Sequence, residues 1–457
     1  MRKTLIGGAG VLAVLAGAAP VFAEPGVSVT IYGNNIALVR DIRALNLTSG
    51  RQTIEFKNVS AKIRPETVSL KAADLTIVEQ NFDYDLLSPG KMMEKAVGHV
   101  VTIVRINPAN GGETREQAQV LATNGGVVLK IGDHIEVLRD DGLPTRVIFD
   151  KVPDNLRASP TLSVSVDAKP GQREGTLSYL TPGLGWRADY VALYDEATSA
   201  IDVQGWVTLT NNSGVSYDHA DTLLVAGEPR LQDGGSDDGN GANGGMVEAG
   251  TESGTRERLG DFYLYPLGER TTIANQQTKQ VSFMDVRGAP ARHGYEYRLN
   301  WMQTIEEPQS FATVYSFNNS AKGGLGDQLP AGIVRFYIRD KQGAPQFIGE
   351  SPIGHTPMGS ELSLGTGDAF DVKIKSTVTS RTRINEFRWK TAMSYTLSNA
   401  LPKPIKATVI QDGLWGDTKI VSESQPSKRR NANAVEWTAD VPANGKTVLT
   451  AVFDTKY

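Results

Sequence analysis

The sequence predicts an all-β chain of several β-sandwich, immunoglobulin-like domains, with a small β-barrel segment near the N-terminus. Three observations carry this. Apolar and polar residues alternate at period two along the whole length, as in Leu162, Val164, Val166 and Ala168 against Ser163, Ser165 and Asp167. Such alternation marks a strand with one buried and one wet face. Turn formers separate the runs, at Asn110-Gly111-Gly112, Asn124-Gly125-Gly126, Asp140-Asp141-Gly142 and Asn211-Asn212-Ser213-Gly214. No long amphipathic helix lies between the strands, which excludes a parallel α/β sheet. With 457 residues, of which 40% are hydrophobic, the chain can bury a core and has room for roughly two to four domains.

Residues 1–23 read as a signal peptide. Arg2 and Lys3 precede an apolar stretch from Leu5 to Ala19, and Val21-Phe22-Ala23 places small residues at the −3 and −1 positions of a cleavage site. The stretch is shorter than the ~20 residues of a spanning helix. The mature chain is therefore expected to begin at Glu24 and to lie in the periplasm or outside the cell, with no later transmembrane helix. Zero Cys removes disulfides, thiol catalysis, thiolate zinc sites, iron–sulfur clusters and lipoprotein anchoring together. A formal charge of −4 argues against a nucleic-acid partner.

Residues 24–98 form the first expected β-domain, opening on Val27, Val29 and Ile31. It ends in one short helix: Ser88 as N-cap, Pro89 in the first turn, Lys91 to Val97 continuing, and Gly98 as stop. Residues 99–152 pack short strands between tight turns and read as the barrel-like segment. Residues 153–228 form a sandwich in which Val203, Gly205, Val207 and Leu209 share a face opposite Trp206 and Thr208. Residues 229–258 are rich in Gly with Asp233, Asp237, Asp238, Asn240 and Asn243. This segment reads first as a solvated loop. Calcium is the sharper alternative, although the spacing fits neither an EF-hand nor a nonapeptide repeat. Residues 259–358 form another β-domain, with Val334, Phe336 and Ile338 alternating, and residues 359–457 a C-terminal sandwich ending in Leu449, Ala451 and Phe453.

Chemistry-bearing motifs are sparse. The chain holds no Gly-x-Ser-x-Gly elbow and no His-Glu-x-x-His helix. Gly445-Lys446-Thr447 resembles the end of a phosphate-binding loop, but Asp440 stands where its first glycine belongs, and a strand follows. The histidines, His99, His134, His219, His293 and His355, lack metal-ligand spacing. No catalytic residue, metal or cofactor is assigned.

The most unusual local text is Ser178 through Tyr190. A turn at Thr181-Pro182-Gly183 leads into a strand with Trp186, Ala188 and Tyr190 on one face and Arg187 and Asp189 on the other. One reading is a core Trp beside an Arg–Asp pair that fixes a domain corner. The other is a ligand platform, since Trp and Tyr stack on sugars or anchor interfaces. Trp186, Arg187, Asp189, Tyr190 and Trp206 are the candidate ligand- or partner-binding residues.

These residues carry a resemblance. Gly185-Trp186-Arg187-Ala188-Asp189-Tyr190, then Gly205 through Gly214, Leu223 to Gly227, Arg335-Phe336-Tyr337, Phe347 to Glu350 and Gly354-His355-Thr356-Pro357 look like the bacterial mucoidy-inhibitor-A-like family. Ile36 to Arg40 and Tyr84 to Pro89 extend the resemblance over nearly the whole mature chain. The region shared within that family is a domain of unknown function, so the resemblance implies no catalytic residues. Better-known members place a coiled coil before the Trp-Arg region; here the strand-rich stretch Val100–Phe149 stands there instead.

The leading reading is an exported, non-enzymatic β-sandwich protein that binds or scaffolds envelope protein or polysaccharide. The alternative is a secreted glycan-active hydrolase with paired carboxylates, drawn from residues such as Asp189, Asp195, Asp202 and Asp221, and Trp186 or Trp206 as sugar platform. A third, an outer-membrane barrel ending at Tyr457, is disfavoured because Thr455 breaks the alternation and 22 prolines fit poorly in a closed wall.

Overall fold

The computed structural model describes residues 26–83, 85–138, 145–153, 156–227, 229, 246–252 and 256–456. The proposed signal peptide and the Asp and Asn residues of the calcium alternative lie outside them. The chain is all-β: strands take up 66% against 2% helix, in several sheets. It divides into two compact units.

The first unit comprises Leu38–Thr181 with Tyr217–Asp221 and residues 26–29. The strand Thr161–Ala168 lies between Gly50–Lys57 and Leu75–Asp83, antiparallel to both. Its alternation works as expected: Leu162, Val164, Val166 and Ala168 are buried while Ser163 and Ser165 are partly exposed. The expected helix is Pro89–Lys95. The Ser88 side chain accepts a hydrogen bond from the Lys91 N–H at 3.2 Å, and Gly98 takes a φ of 85° that side chains avoid. The helix stops two residues short of Val97 because Ala96 is its C-cap, buried against the neighbouring sheet.

That sheet is the expected barrel-like segment. Its antiparallel order is Thr145–Ile148, Val100–Ile106, Glu113–Ala122, Val127–Ile131, His134–Leu138, so Thr145–Ile148, the last of these in sequence, returns beside Val100–Ile106, the first. Val101, Ile103, Val120, Leu129 and Ile131 fill its concave face. Arg105 reaches Glu136 at 2.5 Å, although two strands separate theirs. In a flat sheet three strand spacings would hold those positions about 14 Å apart. The sheet therefore curls into a half-barrel, with the strands Thr145–Ile148 and His134–Leu138 as its open edges.

The second unit comprises Thr30–Ala37, Pro182–Ser216 and Thr222–Tyr457. One sheet runs in the order Pro345–Ile353, Gly332–Arg339, Leu184–Asp195, Ala200–Asn211, and the start of Gln277–Leu299. All neighbours are antiparallel except Leu184–Asp195 with Gly332–Arg339. Gln277–Leu299, 23 residues long, serves two sheets. It pairs with Ala200–Asn211 as far as Pro290, then with Gln309–Asn318 from Ala291 and with Ile405–Gln411 from Tyr295. Strands of this length must bend, and register shifts beside Val203 and Trp206, with Gly288 at φ 68°, mark the bend.

Beyond it stands a sandwich. One layer holds the end of Glu361–Asn385 with Arg388–Asn399, Gly445–Lys456 and Asp417–Glu423. The other holds the end of Gln277–Leu299 with Ile405–Gln411, Ala434–Val441 and Lys428–Asn431. Phe311, Tyr395, Val409, Trp437 and Phe453 are packed in the core between them. Its two buried polar tips are satisfied: the Tyr395 hydroxyl donates to Gln411 at 2.7 Å and the Trp437 indole to Glu423 at 3.0 Å.

Candidate functional site

The strand Leu184–Asp195 separates its residues as period two requires. Trp186 and Tyr190 point into the core at 8% and 1% exposure. The Trp186 indole N–H donates to the Val225 carbonyl at 3.3 Å, and the Tyr190 hydroxyl to the Pro330 carbonyl at 2.8 Å. Rings close the surroundings: Tyr265 lies 6.1 Å from Trp186, and Phe283 lies edge-on 5.9 Å from Tyr190. Both glycines of the motif region have steric reasons. A Cβ at Gly183 (φ 99°) would stand 2.9 Å from the Asn212 carbonyl oxygen, and one at Gly205 would stand 2.8 Å from the Phe283 ring.

On the opposite face Asp189 is buried and holds three donors. It accepts from the Thr208 hydroxyl at 2.6 Å, from Arg335 Nη1 at 2.9 Å and from Arg187 Nε at 3.2 Å. Gln280 donates to Thr208 at 3.2 Å, and Glu350 pairs with Arg335 at 3.2 Å. The row Glu350–Arg335–Asp189–Thr208–Gln280 thus crosses five strands of one sheet. Burial works to raise the Asp189 carboxyl, but the Thr208 and Arg335 hydrogen bonds and the two guanidinium charges outweigh it and hold it below the usual carboxylate range. Trp206, half-buried, is the register partner of Asp189. Of the five candidate residues, the structure therefore gathers Arg187, Asp189 and Trp206 on one sheet face and places Trp186 and Tyr190 in the core beneath it.

The other candidate carboxylates do not join them. Asp195 caps the Ala197 N–H at 2.9 Å, Asp202 accepts from the Gly288 N–H at 2.8 Å, and Asp221 belongs to the first unit. The histidines are also scattered. His293 lies among Tyr194, Tyr295 and Tyr315, where burial lowers its pKa. His355 accepts the Ala331 N–H at 3.1 Å.

Two features of the second unit escaped the sequence reading. The first is a polar groove of about 410 Å³ on the sandwich, floored by Glu296 and Gly294 and flanked by Arg292, Lys406, Arg430 and Glu436. Glu296 accepts from the Ser363 hydroxyl at 3.3 Å. Its carboxyl is pushed up by burial first, against which Arg430 and Ser363 act, with Glu436 adding repulsion. The second is an aromatic end. Trp301 and Trp415 lie 5.2 Å apart, and a cavity of about 200 Å³ is lined by Trp301, Met302, Arg381, Trp389, Thr391 and Thr455. Strand register sets Trp389 and Thr418 both opposite Thr455, and the loops after Leu299 and Gln411 add Trp301, Met302 and Trp415. No local spacing could have announced it.

Compared with known proteins, the chain matches no family model and no curated protein.

Proposed function

We propose that the chain is an exported, non-enzymatic, multidomain β protein that binds or scaffolds cell-envelope components. The observation that carries this reading is the Asp189 cluster. The stretch of sequence singled out as a candidate ligand platform engages its carboxylate with Thr208, Arg335 and Arg187, joining the strands of one sheet. The leader at residues 1–23 and the likeness of Gly185–Tyr190 to the mucoidy-inhibitor-A-like family support an envelope setting. The test is co-sedimentation of residues 24–457 with envelope glycan and protein fractions, alongside the Trp206→Ala variant. Retention in the pellet through rising salt supports the reading, and a protein that stays in the supernatant with every fraction refutes it.

A second reading has its own observation. Glu296, with its raised carboxyl, lines a groove together with Glu436, which pairs with Arg430; a glycan hydrolase works with two carboxyls of which one is held protonated. Release of reducing ends from envelope glycans by wild type, abolished in Glu296→Gln, would establish it.

A further inference from the structure

We propose that the hairpin joining Glu361–Asn385 to Arg388–Asn399 docks the protein on an anionic membrane surface, with Ile384 and Phe387 entering the interface. The proposal takes its cellular setting from the envelope reading above and names a partner which that reading does not. Past Ile374 the strand Glu361–Asn385 leaves Gln309–Asn318 and pairs with the returning strand of its own hairpin. Residues 379–388 are exposed, while the returning strand stays paired on its other side with Gly445–Lys456 as far as Arg388, so the hairpin's turn projects at one end of the sandwich.

A projecting hairpin is expected to be polar, with a turn of Gly, Asn or Asp. This one carries Ile384 at 50% and Phe387 at 59% exposure. Neither packs in the core, and Phe387 lies in the turn itself. Around them stand Arg381, Arg383, Arg388 and Lys390 with Glu386 and Asp454; Asp454 is taken up by Arg388 at 2.8 Å, which leaves Arg381, Arg383 and Lys390 against Glu386, in a chain whose formal charge is −4. Trp389 follows the turn directly, opposite Arg383; it lines a cavity with Trp301, against which Trp415, 60% exposed, packs. Exposed apolar side chains, cationic groups and Trp rings gathered at one end of the sandwich are what the acyl chains, phosphates and interfacial zone of an anionic bilayer take up. A sugar could use the Trp301–Trp389 cavity, which is smaller than the ~300–1,000 Å³ of a drug-sized site, but it would leave Ile384 and Phe387 unexplained.

The test uses residues 24–457 and sedimenting vesicles of phosphatidylglycerol with phosphatidylethanolamine, compared with phosphatidylcholine alone. Wild type is expected to pellet with the anionic vesicles. Ile384→Ser/Phe387→Ser should bind at least about tenfold more weakly from the lost apolar insertion. Arg383→Gln/Lys390→Gln should bind about 25-fold more weakly, each charge near an anionic surface contributing roughly fivefold. Val448→Ser, at an exposed site elsewhere on the sandwich, should match wild type. All substituted side chains are exposed, and an unchanged Trp fluorescence unfolding curve verifies that each variant folds. Equal binding to phosphatidylcholine, or a tip variant that binds like wild type, overturns the proposal. Pelleting with polysaccharide fractions but never with vesicles also overturns it, while leaving the envelope reading intact.

Discussion

Replacing Asp189 with Ala should destabilise the second unit by about 2–3 kcal/mol. Breaking a fully buried ion pair from one side costs about 3–5 kcal/mol, but this pair is only partly enclosed. The Arg335 side chain is 33% exposed and retains Glu350, and that of Arg187 is 62% exposed, so both are discounted for solvent screening. The Thr208 hydroxyl, 1% exposed, loses its acceptor, which by itself costs about 1–3 kcal/mol. All six Trp residues lie in the second unit, so Trp fluorescence follows that unit alone. The expected fall in its transition is roughly 5–10 °C. Arg187→Ala, changing the exposed partner, should stay within about 1 kcal/mol. The pH dependence carries a sign. Because the folded carboxyl is depressed, its stabilisation is present above the unfolded value near 3.9 and is lost as pH falls through the folded one. The gap between wild type and Asp189→Ala should therefore hold from neutrality to about pH 5 and narrow below about pH 4. A loss under about 1 kcal/mol, or a gap that persists in acid, would refute the view that this carboxylate ties the sheet together.

Gly332→Ala should cost about 3 kcal/mol or more, or prevent folding, because its Cβ would stand 2.1 Å from the Ala188 carbonyl oxygen; the Trp fluorescence transition reads it. Ser88→Ala should lower the stability of the first unit by about 1 kcal/mol through the lost N-cap, measured by hydrogen exchange over Pro89–Lys95 since this unit has no Trp. Glu296→Gln should be neutral or stabilising at neutral pH. Its folded pKa is raised, so the stability the native carboxyl lends is present below its unfolded value near 4.3 and lost as pH rises through the folded one. A Glu296→Gln variant less stable than wild type at pH 8 but not at pH 4 would contradict this, and urea unfolding at both values decides.

The faces of the Leu184–Asp195 strand were legible because strand periodicity is a local property: Trp186 and Tyr190 inward, Arg187 and Asp189 outward. The Pro89–Lys95 helix was legible for the same reason, its cap, proline and terminal glycine all lying within eleven residues. Arg335 as the partner of Asp189 was not, being 146 positions away and brought near by a parallel pairing that no hairpin signals. Nor was the environment of Glu296. Its strand reads as a polar run, and the carboxyl is enclosed only once Ile405–Gln411 docks beside it. The aromatic end needed strand registers and two loops, after Leu299 and after Gln411, at once. The groove and the aromatic end belong to tertiary structure, and a one-dimensional pattern carries no trace of either.

The residues that look most like a signature turn out to have architectural reasons. Gly183 accommodates Asn212, Gly205 accommodates Phe283, Phe283 packs on Tyr190, and Asp189 gathers donors from two neighbouring strands. A motif of this kind specifies how a sheet is assembled, and it will recur wherever that sheet recurs, whatever the protein binds. Ligand recognition should then be sought where residues have no architectural reason. Ile384 and Phe387 meet that description: they fill no core, and the turn between Asn385 and Arg388 closes without needing an aromatic ring. Substituting them should leave the unfolding curve unchanged and alter binding, whereas substituting Asp189 should do the reverse. That crossed outcome separates the part of the sequence that builds the fold from the part that uses it.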